Sequence, residues 1–164
     1  MTRPAEHHLD DQPVEFWSTA SIESALADGN IVIWQRIIVA VKRDPFGRTA
    51  RQVEEVLETA APYGISEALS EVLRRARAHL EANERAEAAR HVVLLMERSG
   101  LSESEFASRI GATSADLTGY LGATVSPSAA LMIRMRRVSD RFARIRAQQR
   151  AQQEPVPQEP HTAY

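Results

Sequence analysis

The sequence predicts an all-α protein of two parts, an N-terminal helical domain joined by a long helix to a C-terminal helical domain. Three observations carry this reading. Apolar residues recur at three- and four-residue steps through most of the chain. Ser or Thr heads several of these runs, with Glu, Gln or Asp three residues on, the spacing of a capping box. Turn-forming clusters, "DGN", "DPFGR" and "APYGIS", divide the runs from one another.

The bulk properties bound the function. A chain of 164 residues holds one ordinary domain or two small ones. It has no cysteine, which excludes disulfides, thiolate catalysis and cysteine-ligated metals. No apolar run approaches the ~18–20 residues that cross a bilayer. The acidic, polar start reads as neither a signal peptide nor a basic targeting helix, so a cytoplasmic location is expected. The formal net charge of −2 conceals an asymmetry. Residues 1–30 carry six acids against Arg3, whereas residues 134–150 carry seven arginines against Asp140. Local positive charge, not the whole-chain balance, governs attraction to a polyanion.

Residues 1–15, with Pro4 and Pro13 and no periodicity, read as a flexible arm. Residues 151–164 read as a disordered tail, for three prolines punctuate "EPVPQEPHTAY". Residues 18–27 form a short helix that stops at "DGN". In "NIVIWQRIIVAVKR", Ile31, Trp34, Ile38 and Val41 make one apolar helical face; the β-branched content leaves a strand as the alternative. After the "DPFGR" turn, Thr49 starts a helix with Gln52 as its capping-box partner, and Val53, Val56 and Leu57 point inward. Ser66 caps the next helix. Leu69, Val72, Leu73, Ala76 and Leu80 form its stripe, which Ala88, Val92 and Leu95 resume. Between them "EANERAEAAR" is charged and Ala-rich, a helical connector with a possible break at Asn83, and marks the domain boundary: 16–80 before it, 81–150 after it.

The C-terminal part is built from its punctuation. Ser102 with Glu105 opens a helix faced by Phe106 and Ile110, and Gly111 ends it in the left-handed conformation. Ala107 is small enough for two helices to cross closely. Thr113 with Asp116 opens a second helix only two residues later, with Leu117, Tyr120 and Leu121 on its inner face. Ser126 then caps a further helix, with Pro127 at its first position, followed by Leu131, Met135 and Val138.

The run "SGLSESEFASRIGATSADLTGYLGATVSPSAALMIRM", residues 99–135, resembles the lambda-repressor/Cro-like helix-turn-helix family, also called the XRE family. "GLS" precedes the first helix of the pair, "FA" stands for its Leu-Ala, "IGAT" for its Leu-Gly-Val-Ser, and "SPSAAL" for the start of its fourth helix. Residues 85–99 then correspond to the family's first helix and 139–150 to its fifth. The resemblance covers residues 85–145; residues 1–80 resemble no family. It implies a reading helix in the major groove of double-stranded DNA. Carried over by position, Ser114, Ala115, Asp116, Thr118 and Gly119 face the bases, and Ser102, Arg109 and Thr113 lie by phosphates. The chain departs from the pattern at Glu103, where the family often has Gln, and at Ala115 and Gly119, where it has long polar residues. The bidentate contacts of Arg, Gln or Asn with base edges are therefore missing from this helix. Ser and Thr bond more than one base, Ala115 or the Thr118 methyl can touch thymine, and Asp116 either accepts from cytosine or serves only Thr113.

Segment 102–126 carries three acids against Arg109 and would not approach DNA unaided. Arg134, Arg137, Arg141 and Arg144 follow at three- and four-residue steps, beside an apolar face of Leu131, Met135, Val138, Phe142 and Ile145. They are the expected phosphate contacts, with pairing to acids as the alternative. Lys42, Arg43, Arg48 and Arg51 form a second basic patch, read as part of a packed helical domain, with a second DNA reader as the alternative. His7, His8, His79, His91 and His161 lack metal-ligand spacing, Glu54 and Glu55 read as a solvated helix face, and no nucleophile or phosphate-loop pattern is present. The expectation is a cytoplasmic, nucleoid-associated transcriptional regulator, not an enzyme, without cofactor or membrane contact. It acts as a homodimer through apolar surface of the N-terminal domain or of residues 66–95, and that domain is open to a protein partner. A weakly specific architectural DNA binder is the close variant. The alternative is an antitoxin-like or adaptor module whose helix-turn-helix no longer reads bases.

Overall fold

The structure is a computed structural model that describes residues 11–60 and 64–153. Among these residues there are seven α-helices and no strand: α1 Thr19–Asp28, α2 Ile31–Arg43, α3 Arg48–Thr59, α4 Ser66–Ser99, α5 Glu103–Ile110, α6 Ser114–Leu121 and α7 Ala129–Gln153. A short 3-10 helix, Val14–Phe16, precedes them. They divide into two compact units, one ending at Glu81 and the other beginning at Ala82. Residues 1–10 of the expected arm and 154–164 of the expected tail lie outside the described residues.

In the N-terminal unit α1, α2 and α3 pack on one another, and Leu69 and Leu73 of α4 complete a core of Trp17, Ile22, Leu26, Ile37, Val41, Val53 and Val56. The Ser18 hydroxyl accepts from the Ser21 N–H to start α1, and Gly29, at φ 73°, ends it. Asn30 Oδ1 accepts from the Val32 N–H at 3.0 Å and opens α2 at once, which settles residues 31–43 as helix.

Several expectations for this unit are corrected. Residues 11–15 are no arm. Val14 is buried in the core, and the Gln12 carbonyl accepts from Trp17 Nε1 at 3.1 Å and from Arg36 at 2.7 Å. Of the expected α2 face, Val41 is buried and Trp34 and Ile38 pack partly buried against the core, but Ile31 is 65% exposed, and Ile37 and Ala40 are buried as well. Nearly every residue of "IVIWQRIIVAV" is apolar, so spacing alone does not select one face; packing against α1 and α3 does. Thr49 is not a cap, because α3 starts at Arg48 behind Gly47. Gln52 instead donates from its amide to the Trp17 carbonyl at 3.1 Å and to Thr19 Oγ1 at 3.3 Å, bonding the start of α1 to α3. Glu54 is not merely solvated. Arg77 binds it through both terminal guanidinium nitrogens at 2.9 and 3.0 Å, donates from Nε to the Pro45 carbonyl and lies over the Phe46 ring. That pair of hydrogen bonds holds the Glu54 carboxyl below its ordinary pKa.

In the C-terminal unit Val92 of α4, Phe106, Ala107 and Ile110 of α5, Leu117 of α6, and Leu131 and Met135 of α7 make one buried cluster. Ala89 takes the buried position expected of Ala88. Helix α4 continues through Asn83. Helix α7 is also continuous, in contrast to the separate fourth and fifth helices that the resemblance implies. "AALMIRMRRVSDRFARIRAQQRAQQ" contains no Gly or Pro and is rich in Ala, Arg, Gln and Met, so nothing interrupts it. It runs to Gln153, past the expected start of the tail. Its cap is Ser128, whose hydroxyl accepts from the Leu131 N–H at 3.2 Å, not Ser126. The preceding loop is tied back to α6, because the Gly119 carbonyl accepts from the N–H groups of Thr124 and Val125 and from Thr124 Oγ1. Pro127 is therefore still outside the helix.

Candidate nucleic-acid interface

Helix α5 is bounded by local chemistry. Ser102 Oγ accepts from the Glu105 N–H at 3.3 Å, which satisfies one of the free donors of the first turn. Gly111 takes φ 74° and turns the chain toward α6, a backbone angle that a side chain would strain. Thr113 and Asp116 then form the complete reciprocal box. The Thr113 hydroxyl accepts from the Asp116 N–H at 3.0 Å, and Asp116 Oδ2 accepts from the Thr113 N–H at 3.1 Å and from its hydroxyl at 2.7 Å. Leu117 is buried, so α6 is fixed against α5 with its outer side exposed at Ser114, Ala115, Asp116 and Thr118.

These bonds decide what the exposed residues have left to offer. Side-chain and backbone hydrogen bonds from Thr113 hold the Asp116 carboxyl below its ordinary pKa. One of its oxygens is thus committed to the helix start. The Thr113 proton is spent on Asp116, and the Thr118 hydroxyl donates to the Ser114 carbonyl at 2.9 Å. Gly119 lies under the loop, and a β-carbon there would meet Thr124 Oγ1 at 3.4 Å. What remains without a prior commitment is the Ser114 hydroxyl, the Ala115 methyl, the methyl of Thr118 and the second carboxylate oxygen of Asp116. Ser102 keeps its own hydroxyl proton, since its oxygen acts as an acceptor in the cap.

Thr113→Ala is expected to lower stability by ~1 kcal/mol, the usual cost of losing such a cap. The same change returns the Asp116 pKa toward its ordinary value. A carboxylate with a depressed folded-state pKa stabilises above its unfolded-state value and loses that contribution as pH falls through the folded-state value. The wild-type box therefore holds at neutral pH and weakens only in acid below the ordinary Asp range. An NMR titration of the Asp116 carboxyl checks this; the same midpoint in wild type and variant would remove Thr113 as the cause.

The arginines sort into engaged and free. Arg134 Nη1 donates to the Ile110 carbonyl at 2.7 Å, satisfying the C-terminal end of α5, where a cation is favoured. The Arg109 guanidinium lies 4.5 Å from the centre of the Phe142 ring. Arg146 donates to the Arg98 carbonyl at 2.8 Å, and Arg98 pairs with Asp140 at 2.9 Å, which neutralises the acid of the α7 run. Arg144 donates to the Asp140 carbonyl. Arg136, Arg137, Arg141 and Arg150 are exposed, and among the described residues none makes an ion pair or hydrogen bond through its guanidinium; of these, Arg137 and Arg141 share the flank of Arg134. Because Arg134 touches the last residue of α5, the flank of α7 that it shares with Arg137 and Arg141 adjoins the turn into α6. The Arg134 clamp has no signal in the sequence, because it depends on how α5 meets α7.

Among the described residues no cluster of His, Asp and Glu is placed to hold a metal ion, and no helix is long and apolar enough to cross a membrane. Comparison with known proteins yields no match of this chain to a family model, to a curated protein or to a solved structure.

Proposed function

We propose that the C-terminal unit binds double-stranded DNA in the manner of the lambda-repressor/Cro-like family that residues 85–145 resemble, and that the protein is a dimeric, nucleoid-associated transcriptional regulator. The observation that carries this reading is the free pair Arg137 and Arg141 on the flank of α7 that Arg134 ties to the α5–α6 turn. Phosphates alongside a groove entered by α6 would meet these two cations, and phosphate neutralisation supplies most of the affinity of such complexes. Base discrimination rests on Ser114, Ala115 and Thr118, so contacts are short and sequence preference is weak or read through duplex shape.

Selection from random duplex DNA followed by a salt titration tests the proposal. An enriched half-site marks a regulator, and sequence-independent binding with a steep salt slope marks the architectural variant. Absence of duplex binding at ~50 mM salt would end both, since non-specific binding is strongest at low salt. The second reading, an antitoxin-like or adaptor module, is favoured by one specific feature: the outer side of α6 bears no Arg, Lys, Asn or Gln, and Asp116 is committed to its own cap.

A further inference from the structure

Helix α2 has one face in the core and a second that stays exposed among the described residues. Ile31, Val32 and Val39 are 65%, 61% and 54% exposed. Val32 and Val39 stand seven residues apart, with exposed Gln35 between them, so they lie on one stripe along the helix. A groove of about 370 Å³, lined by Val14, Val32, Arg36, Val39 and Arg43, runs beside the stripe. The two ends of the stripe differ in sign. Exposed Asp28, the last residue of α1, stands just before the start of α2, and exposed Lys42 and Arg43 form its last turn.

A surface with an acid at one end, Val32 and Val39 flanking Gln35 in the middle and cations at the other is complementary to itself when reversed, with the Arg36 guanidinium held aside on the Gln12 carbonyl and the Trp17 ring. Placing two copies parallel would set Lys42 and Arg43 against their own kind. Placing them antiparallel pairs opposite signs at both ends and also opposes the two helix dipoles favourably. We propose that α2 is the interface of a homodimer, crossed antiparallel about a twofold axis that passes between Gln35 and Arg36. That register seats Val32 of each copy on Val39 of the other, brings Arg43 of each to the Asp28 end of the other, and leaves Gln35 near the axis. The contact is isologous, as a closed dimer requires. Arg43 reaches Glu15 of its own chain at 2.9 Å, an exposed pair that holds the guanidinium at the end of the stripe and costs little to share.

This deepens the dimer named in the proposed function and is independent of DNA, so its test uses the full chain without nucleic acid. Sedimentation equilibrium should show a dimer. Val32→Glu with Val39→Glu should give a monomer with unchanged helical circular dichroism, since both side chains are exposed. Asp28→Arg alone and Arg43→Asp alone should each raise the dimer dissociation constant about tenfold or more, and the two together should restore it. A wild-type chain that stays monomeric up to roughly 100 µM, or a double valine variant that stays dimeric, would overturn the interface. Failure of the charge exchange to restore affinity would overturn the antiparallel register. A monomeric wild type would also remove the dimer from the proposed function, whereas duplex binding by the C-terminal unit is read separately by the DNA selection.

Discussion

Phe106→Ala is expected to destabilise the C-terminal unit by about 3–5 kcal/mol, the range for removing a fully buried aromatic ring from a core. Phe106 has no solvent exposure and is clustered with Val92, Ile110, Leu117, Leu131 and Met135, so residues from four helices lose a common neighbour. Urea unfolding followed by circular dichroism reads the loss as a lower midpoint for this part of the helical signal. Trp17 and Trp34 both belong to the unit that ends at Glu81, so tryptophan fluorescence reports the other core. A circular dichroism midpoint equal to wild type would show that Phe106 does not centre the cluster.

Arg137→Ala combined with Arg141→Ala is expected to weaken binding to all duplex sequences alike and to flatten the salt dependence by about two units of slope, roughly 0.9 for each phosphate released. At 0.1 M salt the loss amounts to at most about 60-fold, if each arginine neutralises one phosphate. Both side chains are exposed, so the fold and its helical signal should persist. Arg134 is left intact because its bond to the Ile110 carbonyl makes it part of α5, and its loss would mix stability with affinity. A double variant with unchanged slope would place the phosphate contacts elsewhere.

What was legible in the sequence was chemistry confined to a few neighbouring residues. Gly111 and the Thr113–Asp116 box sit where their spacing puts them, because each is decided within one helical turn. Ser102 is half of what the spacing suggested: it caps α5, with no return bond from the Glu105 side chain. Thr49–Gln52 has the same spacing but lies inside α3, and only the position of the preceding turn separates a cap from a first-turn residue. The third helix start failed for a related reason. Ser126 and Ser128 flank Pro127, and the tie of Thr124 and Val125 to Gly119 decides that the later serine is the cap. The α2 face was ambiguous because its apolar residues surround the helix. Which arginines remain free was not local at all: Arg109, Arg134 and Arg146 find their partners 24 to 48 residues away in sequence or on an aromatic ring of another helix.

The free cations of α7 are arginines, and Lys42 is the single lysine of the chain. A guanidinium stays protonated at any pH a cell reaches, and it is not a substrate for acyl transfer to amines. The charge of the α7 row is therefore permanent, beyond the reach of acidification or lysine acylation. Side-chain amine chemistry is confined to one position, the last turn of α2, where acetylation would remove a charge from the self-complementary stripe and leave the arginine row untouched.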